Sequence, residues 1–112
     1  MAGALAERLD KIKNKAKINL RDVAQLLDTT PETVSRWNTG KVDPQFNSLQ
    51  KLLALEYVVE QLSEFYEPDE ARLWLFSHHR LLEGKRPADL IHQGEIEPVL
   101  ALIEQLRDGA FA

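Results

Sequence analysis

LRDVAQLLDTTPETVSRWN, residues 20–38, decides the fold. Asn19 can cap a helix over Leu20 to Leu27, with Val23, Ala24 and Leu27 on its inner side. Thr30 followed by Pro31 reads as the cap and first position of a second helix, which runs to about Asn38 and exits at Gly40. Two helices this close in sequence must cross closely, so the first needs a small inward residue, and Ala24 supplies it. Val34 and Trp37, three apart, anchor the second. The turn between them needs a residue that accepts a left-handed backbone, and Asp28 can occupy it, less favourably than glycine. These are the demands of a helix-turn-helix, whose second helix enters a DNA major groove N-terminal end first. Thr30, Glu32, Ser35, Arg36 and Thr39 would then face the bases and backbone. Arg36 is the residue suited to paired hydrogen bonds with a guanine edge, and Glu32 can accept from cytosine. Ser35, Thr39, Lys41 and Arg21 suit phosphate contacts. The bland alternative is an αα-corner that stores Trp37 in the core and reads nothing. A single module with so few cations binds weakly, which a dimer spanning two half-sites about 34 Å apart would mend.

Outward from this unit the chain reads as helix almost throughout, and the expected class is all-α. Leu5, Leu9 and Ile12 form one stripe on a first helix. After a break at residues 42–45, Phe46, Leu49, Leu52, Leu53, Val59, Leu62 and Phe65 support a long helix ending near Glu67-Pro68. A shorter helix follows from Asp69 to about Phe76. One helical turn is expected around Leu81 and Leu82 before Gly84. Pro87 can begin another short helix through Ile91, and Gly94 separates it from the last. Ile96, Val99, Leu100, Ile103 and Leu106 give that final helix its apolar face, with Pro98 in its first turn and Gly109 as its C-cap. The expected organisation is a helix-turn-helix region at 1–45, a connecting helix at 46–67 and a C-terminal domain at 68–112. No β alternation, repeat or low-complexity linker interrupts this pattern.

The 112 residues are too few for a barrel enzyme or a two-half dinucleotide fold. With 44% hydrophobic and 29% charged residues, the composition is that of a folded globular chain. The absence of cysteine removes disulfides, thiol catalysis and cysteine-based zinc sites. No apolar run approaches the roughly 20 residues that span a bilayer, and the first 20 residues lack a continuous apolar signal core, so a cytoplasmic location without membrane contact is expected. The net charge of −4 argues against a general nucleic-acid coat protein, but it hides an asymmetry. Residues 1–51 carry +3 and residues 52–112 carry −7. The first half could approach phosphates and the second would be repelled by them. Lys11, Lys13, Lys15 and Lys17 equally suit a merely solvated surface.

Catalytic and metal constellations are weak. His78, His79 and His92 are the only histidines and have no HxxxH or CxxC partner spacing. Neighbouring histidines on a helix point about 100° apart and cannot readily share one ion. Ser77 beside them does not make a nucleophile and base, because sequence neighbours rarely hold that geometry. Glu56, Glu60 and Glu64 read as the wet side of the long helix. No catalytic residue, metal ligand or cofactor is expected, although an enzyme using His78 or His79 stays as a distant alternative. Leu73, Trp74, Phe76, Tyr66 and Phe111 are more large apolar groups than the acidic half need expose, and suit either a partner interface or a core.

Residues 74–112, WLFSHHRLLEGKRPADLIHQGEIEPVLALIEQLRDGAFA, resemble the toxin-binding domain of the MbcA/ParS/Xre antitoxin family, with its mycobacterial members the most similar. The likeness is carried by Trp74, Leu82 and Gly84, by Arg86-Pro87 with Asp89-Leu90, by Gly94-Glu95 before Val99 and Leu100, and by Gly109-Ala110-Phe111. Ser35-Arg36-Trp37 and Gly40 fit the Xre-like N-terminal part of the same antitoxins, so the resemblance covers residues 20–112. It implies a type II antitoxin whose partner is a RES-domain toxin that consumes NAD, held inactive by covering its active site. NAD then belongs to the toxin. The resemblance further implies self-association, most simply a dimer, and repression of the chain's own operon. Its toxin-facing residues would be Trp74, Lys85, Arg86, Pro87, Asp89, Gly94, Glu95, Gly109, Ala110 and Phe111. A free-standing repressor with a C-terminal dimerisation domain is the competing reading.

Overall fold

The helices that begin at Leu20, Pro31, Pro68 and Pro87 start at a capping side chain or a proline. The computed structural model describes residues 3–109, and these form seven α-helices and one 3₁₀ turn, with no strand among the described residues. In chain order they are α1 (Ala4–Ala16), α2 (Leu20–Leu26), α3 (Pro31–Asn38), α4 (Phe46–Leu62), α5 (Pro68–Phe76), the 3₁₀ turn (Arg80–Leu82), α6 (Pro87–His92) and α7 (Glu97–Gly109). The all-α class is as the sequence indicates. Asn19 and Asp22 cap α2 reciprocally: Asp22 N–H donates to Asn19 Oδ1 at 2.8 Å, and Asn19 N–H to Asp22 Oδ2 at 3.0 Å. Thr30 accepts from Thr33 N–H at the start of α3, with Pro31 at a position whose missing N–H costs nothing. At α5, with Pro68 in its first turn, Glu67 N–H donates to Glu70 Oε1 at 2.8 Å.

One core runs through all three expected regions. It joins Leu9, Ile12 and Ala16 of α1 to Val23, Ala24, Val34 and Trp37, and onward to Leu52, Leu55, Leu62, Leu75, Ile91, Val99 and Ile103. α1 lies against α3, α4 and α5, while α6 packs on α2, α4, α5 and α7. The body measures 47 × 23 × 19 Å.

Three expectations change. α4 ends at Leu62 rather than near Glu67, because Ser63 Oγ donates back to the Glu60 carbonyl at 2.7 Å and the chain tightens into a turn in which Phe65 N–H reaches Leu62 O at 2.9 Å. Gly109 is not a left-handed cap; it is helical, the last described residue of α7. The third change inverts the long helix. Glu56 and Glu60 are not its wet side: Glu56 is 8% exposed and paired with Arg8, and Glu60 meets Lys15 at 3.1 Å and Lys11 at 3.7 Å, whereas Glu64, past the end of α4, is exposed as expected and meets Arg107 of α7 at 3.3 Å. Around Glu56 and Glu60 the surface expected to be acidic is covered by α1 and closed by its cations. Phe46 and Leu53, expected inside, are exposed instead. Lys17 pairs with Asp69 at 2.8 Å. Four of the nine basic residues of the first half, Arg8, Lys11, Lys15 and Lys17, are thereby paired with acids of the second.

Candidate functional site

The helix-turn-helix closes on the residues that its spacing requires. Val23, Ala24, Leu27, Val34 and Trp37 are all buried between α2, α3 and the rest of the core. Asp28 sits at φ 59, the left-handed conformation expected of it. Thr29 N–H reaches back to Ala24 O at 2.9 Å and Asp28 N–H to Gln25 O at 3.4 Å, the paired bonds of a Schellman ending. Gly40, at φ 79, ends α3 in the same way, with Lys41 N–H on Arg36 O at 2.9 Å. Two tight endings thus fix the entry and exit of α3. Glu32, Ser35, Arg36 and Thr39 lie on its exposed side, and Arg21, Thr30 and Lys41 are exposed around it. Arg36 makes no ion pair among the described residues, so its guanidinium can reach a base edge without breaking one. Two of the nominated hydroxyls already have local bonds: Thr30 Oγ1 caps α3, and Thr39 Oγ1 donates to the Arg36 carbonyl at 3.2 Å. Their fit to phosphate is therefore weaker than that of Ser35 or Lys41.

The C-terminal motif divides into residues that build a surface and residues that present one. Trp74 is 7% exposed, with its ring 5.0 Å from that of His79 at 53°, so it lies beneath the motif and does not project from it. Pro87 is also buried, at the start of α6. His79 Nε2–H donates to Trp74 O at 2.8 Å and His78 Nδ1–H to Gly84 O at 2.7 Å. His79 N–H donates to Lys85 O, and Gly84 N–H returns to His79 O. The paired histidines therefore fasten residues 77–86 into a fixed loop, a structural use that their spacing does not disclose. Lys85, Gly94, Glu95 and Gly109 are exposed. Gly94, at φ 80, lets Glu95 N–H close on Leu90 O at 2.8 Å, which displays Glu95 on the turn into α7. Ala110 and Phe111 lie outside the described residues.

Arg86 and Asp89 form a forked pair, Nε to Oδ2 at 3.0 Å and Nη2 to Oδ1 at 2.7 Å. These bonds hold the Asp89 carboxyl below its ordinary value near 3.8 and raise the Arg86 guanidinium. A depressed carboxylate contributes stability above its unfolded value and loses it as pH falls through the folded one. Both side chains are more than a third exposed, so the contribution belongs to the range of about 0–1 kcal/mol for surface pairs. Melting temperatures of the wild type and Asp89→Asn should differ slightly at neutral pH and converge below the ordinary carboxylate range; a difference that persists in acid would show that the pair is not its source.

Two side chains whose long-range partners the sequence does not disclose join the halves. Arg72 of α5 grips Asp22, Nη1 to Oδ2 at 2.6 Å and Nη2 to Oδ1 at 3.3 Å, and donates to Lys17 O at 2.8 Å. The Asp22 bonds raise the Arg72 guanidinium above its ordinary value. His92 of α6 donates from Nδ1 to Leu26 O at 3.0 Å. Both contacts span some fifty residues or more, a separation at which local pattern carries no signal. Among the described residues no group of three metal-ligating side chains assembles, and no helix is long and apolar enough to cross a membrane.

The chain belongs to the MbcA antitoxin family. The mycobacterial cidal antitoxin MbcA of Mycobacterium tuberculosis is 38% identical over 107 residues, 96% of this chain and 95% of that protein. A probable mycobacterial cidal antitoxin of the same organism is 33% identical over 80% of this chain and 76% of its own length. A chain of the crystal structure of the M. tuberculosis MbcT–MbcA toxin-antitoxin complex superposes with a TM-score of 0.85 at 37% identity, covering 98% of this chain and 99% of that one. The HTH-type transcriptional regulator PuuR of Escherichia coli is 29% identical over 89% of this chain and 56% of its own. No protein-family model matches the chain.

Proposed function

We propose that this protein is the antitoxin of a type II toxin-antitoxin pair, that it silences a RES-domain, NAD-degrading toxin by covering the active site, and that it represses its own operon as a self-associated DNA-binding protein. The observation that carries this reading is the likeness, over nearly the whole chain, to a chain of a toxin-antitoxin complex. The exposed Lys85, Gly94 and Glu95 supply the toxin-facing surface, and the chain itself turns over no substrate. NAD is the toxin's substrate and no cofactor of the antitoxin. The setting is cytoplasmic, where both NAD and the operon are found. The likeness to PuuR supports the operator-binding part and favours, as a second reading, a repressor without a toxin partner.

Co-expression of the tagged chain with its neighbouring open reading frame tests this. The expected result is a stable complex whose partner consumes NAD only after the antitoxin is removed; no complex and no NAD loss would leave the bare repressor. Deleting residues 109–112 should weaken inhibition more than folding, since Gly109 is exposed and lies outside the core. An unchanged inhibition constant would remove the tail from the inhibitory surface.

A further inference from the structure

The corner between α1 and α2 is held from outside the helix-turn-helix, by one guanidinium. Lys17 ends α1 at φ 51, a left-handed conformation that a residue with a Cβ resists, and Asn19 caps α2 two residues later. Arg72 of α5 bridges the bend. Its Nη1 donates to the Lys17 carbonyl on the α1 side at 2.8 Å and to Asp22 Oδ2 on the α2 side at 2.6 Å, while Nη2 reaches Asp22 Oδ1 at 3.3 Å. The guanidinium carbon lies 4.9 Å from the centroid of the Phe76 ring, and Asp69, one turn earlier on α5, takes the Lys17 ammonium at 2.8 Å. The same Asp22 carboxylate accepts from Asn19 N–H, so the helix cap and the arginine fork meet at one group. Arg21, exposed and suited to a phosphate contact, stands immediately before Asp22 in the first turn of α2.

We propose that Arg72 is a positioning residue for operator recognition: it holds the first turn of α2 in place, so that Arg21 meets a phosphate while α3 occupies the major groove. The inference rests on the operator binding proposed above and extends it to a residue outside the helix-turn-helix. The Asp28 turn fixes the far end of α2 to α3, and a helix of only seven residues fastened there alone would fray from its other end. Arg72 closes that end. Its side chain is 39% exposed, and an ion pair so placed adds little to folding. Its geometry is nevertheless specific: a planar fork can hold both carboxylate oxygens and a carbonyl at once, which the point charge of a lysine cannot. Phosphate contacts require such placement, because they set the register of the protein on the duplex.

The test titrates the full-length chain, over a range of salt concentrations, against a labelled duplex of the promoter DNA upstream of its own reading frame and against a scrambled duplex. Arg72→Lys keeps the charge and loses the fork. It should bind the promoter duplex about tenfold more weakly than the wild type, the loss of one charge-assisted contact. The slope of log affinity against log salt should become shallower by about one per bound chain. Preference for promoter over scrambled DNA should not change, since Arg36 still reads its base. Arg21→Ala should act in the same way, and the two substitutions together should cost no more than either alone. Helical spectrum and melting should stay those of the wild type. A wild type that does not prefer the promoter duplex would overturn the operator-binding reading and this inference together. A wild type that prefers it, beside an Arg72→Lys variant that binds equally well, would overturn this inference alone. Additive losses would show that Arg72 does not act through Arg21, and a lowered melting temperature would make the fork a fastening of the fold; either would overturn it.

Discussion

Trp74→Ala should destabilise the protein by about 3–5 kcal/mol, the cost of removing a buried indole and leaving a cavity. That is a large share of the roughly 5–15 kcal/mol by which ordinary domains are stable. The effect follows from the position of the ring beneath the segment that carries the motif proposed to face the toxin. The Trp74 ring lies tilted against that of His79, its carbonyl accepts from the same imidazole, and His79 in turn holds the backbone of Leu82, Gly84 and Lys85. Without the indole, the loop between α5 and α6 loses its floor. Toxin binding should fall in parallel with the urea midpoint, and Trp74→Phe, which keeps a ring in the space, should recover most of both. Unchanged unfolding with toxin binding lost would instead make Trp74 a direct contact.

Arg36→Ala should weaken binding to the chain's own operator by about 5- to 150-fold, equivalent to the 1–3 kcal/mol of a bidentate arginine–guanine contact. Folding should be untouched, because the side chain is exposed and has no ion-pair partner among the described residues. The toxin complex should form as before. Fluorescence anisotropy with the operator and with a scrambled duplex separates two roles for the guanidinium. Loss confined to the operator identifies base reading, whereas equal loss on both identifies a phosphate contact. Simultaneous loss of the toxin complex would mean that the variant misfolds.

The helix-turn-helix was legible because its rules are local. A cap, a small crossing residue, a left-handed turn position and two apolar anchors occur within twenty residues, and each holds in the structure, including Asp28 at its positive φ. Prolines and glycines, with periodicity in the last helix, also placed α5, α6 and α7 to within a residue or two. It failed on α4, where apolar side chains ring much of the helix and acids alternate among them, so the pattern did not say which side was wet. That choice was made at a distance by Arg8, Lys11 and Lys15 on α1, which covered the acids and left Phe46, Leu53 and Tyr57 outside. Trp74 shows the same limit at the candidate site. A motif marks residues that matter without separating those that touch a partner from those that hold the surface in place. Arg72 and His92 were invisible for a further reason: their partners are a backbone carbonyl and a capping carboxylate far along the chain.

The shared core also bears on how such a protein can be divided or inherited. Leu9, Ile12 and Ala16 of α1 are buried where α1 meets α4 and α5 as well as α3. A fragment cut at residue 45 would bare that stripe to water and lose the Arg72 and His92 fastenings of α2. The helix-turn-helix end, proposed to read DNA, is therefore not a cassette that recombination can lift out and append to another C-terminal unit. Lineages that abandon one activity would do so by point substitution at the surface, as at Arg36, and keep the whole chain.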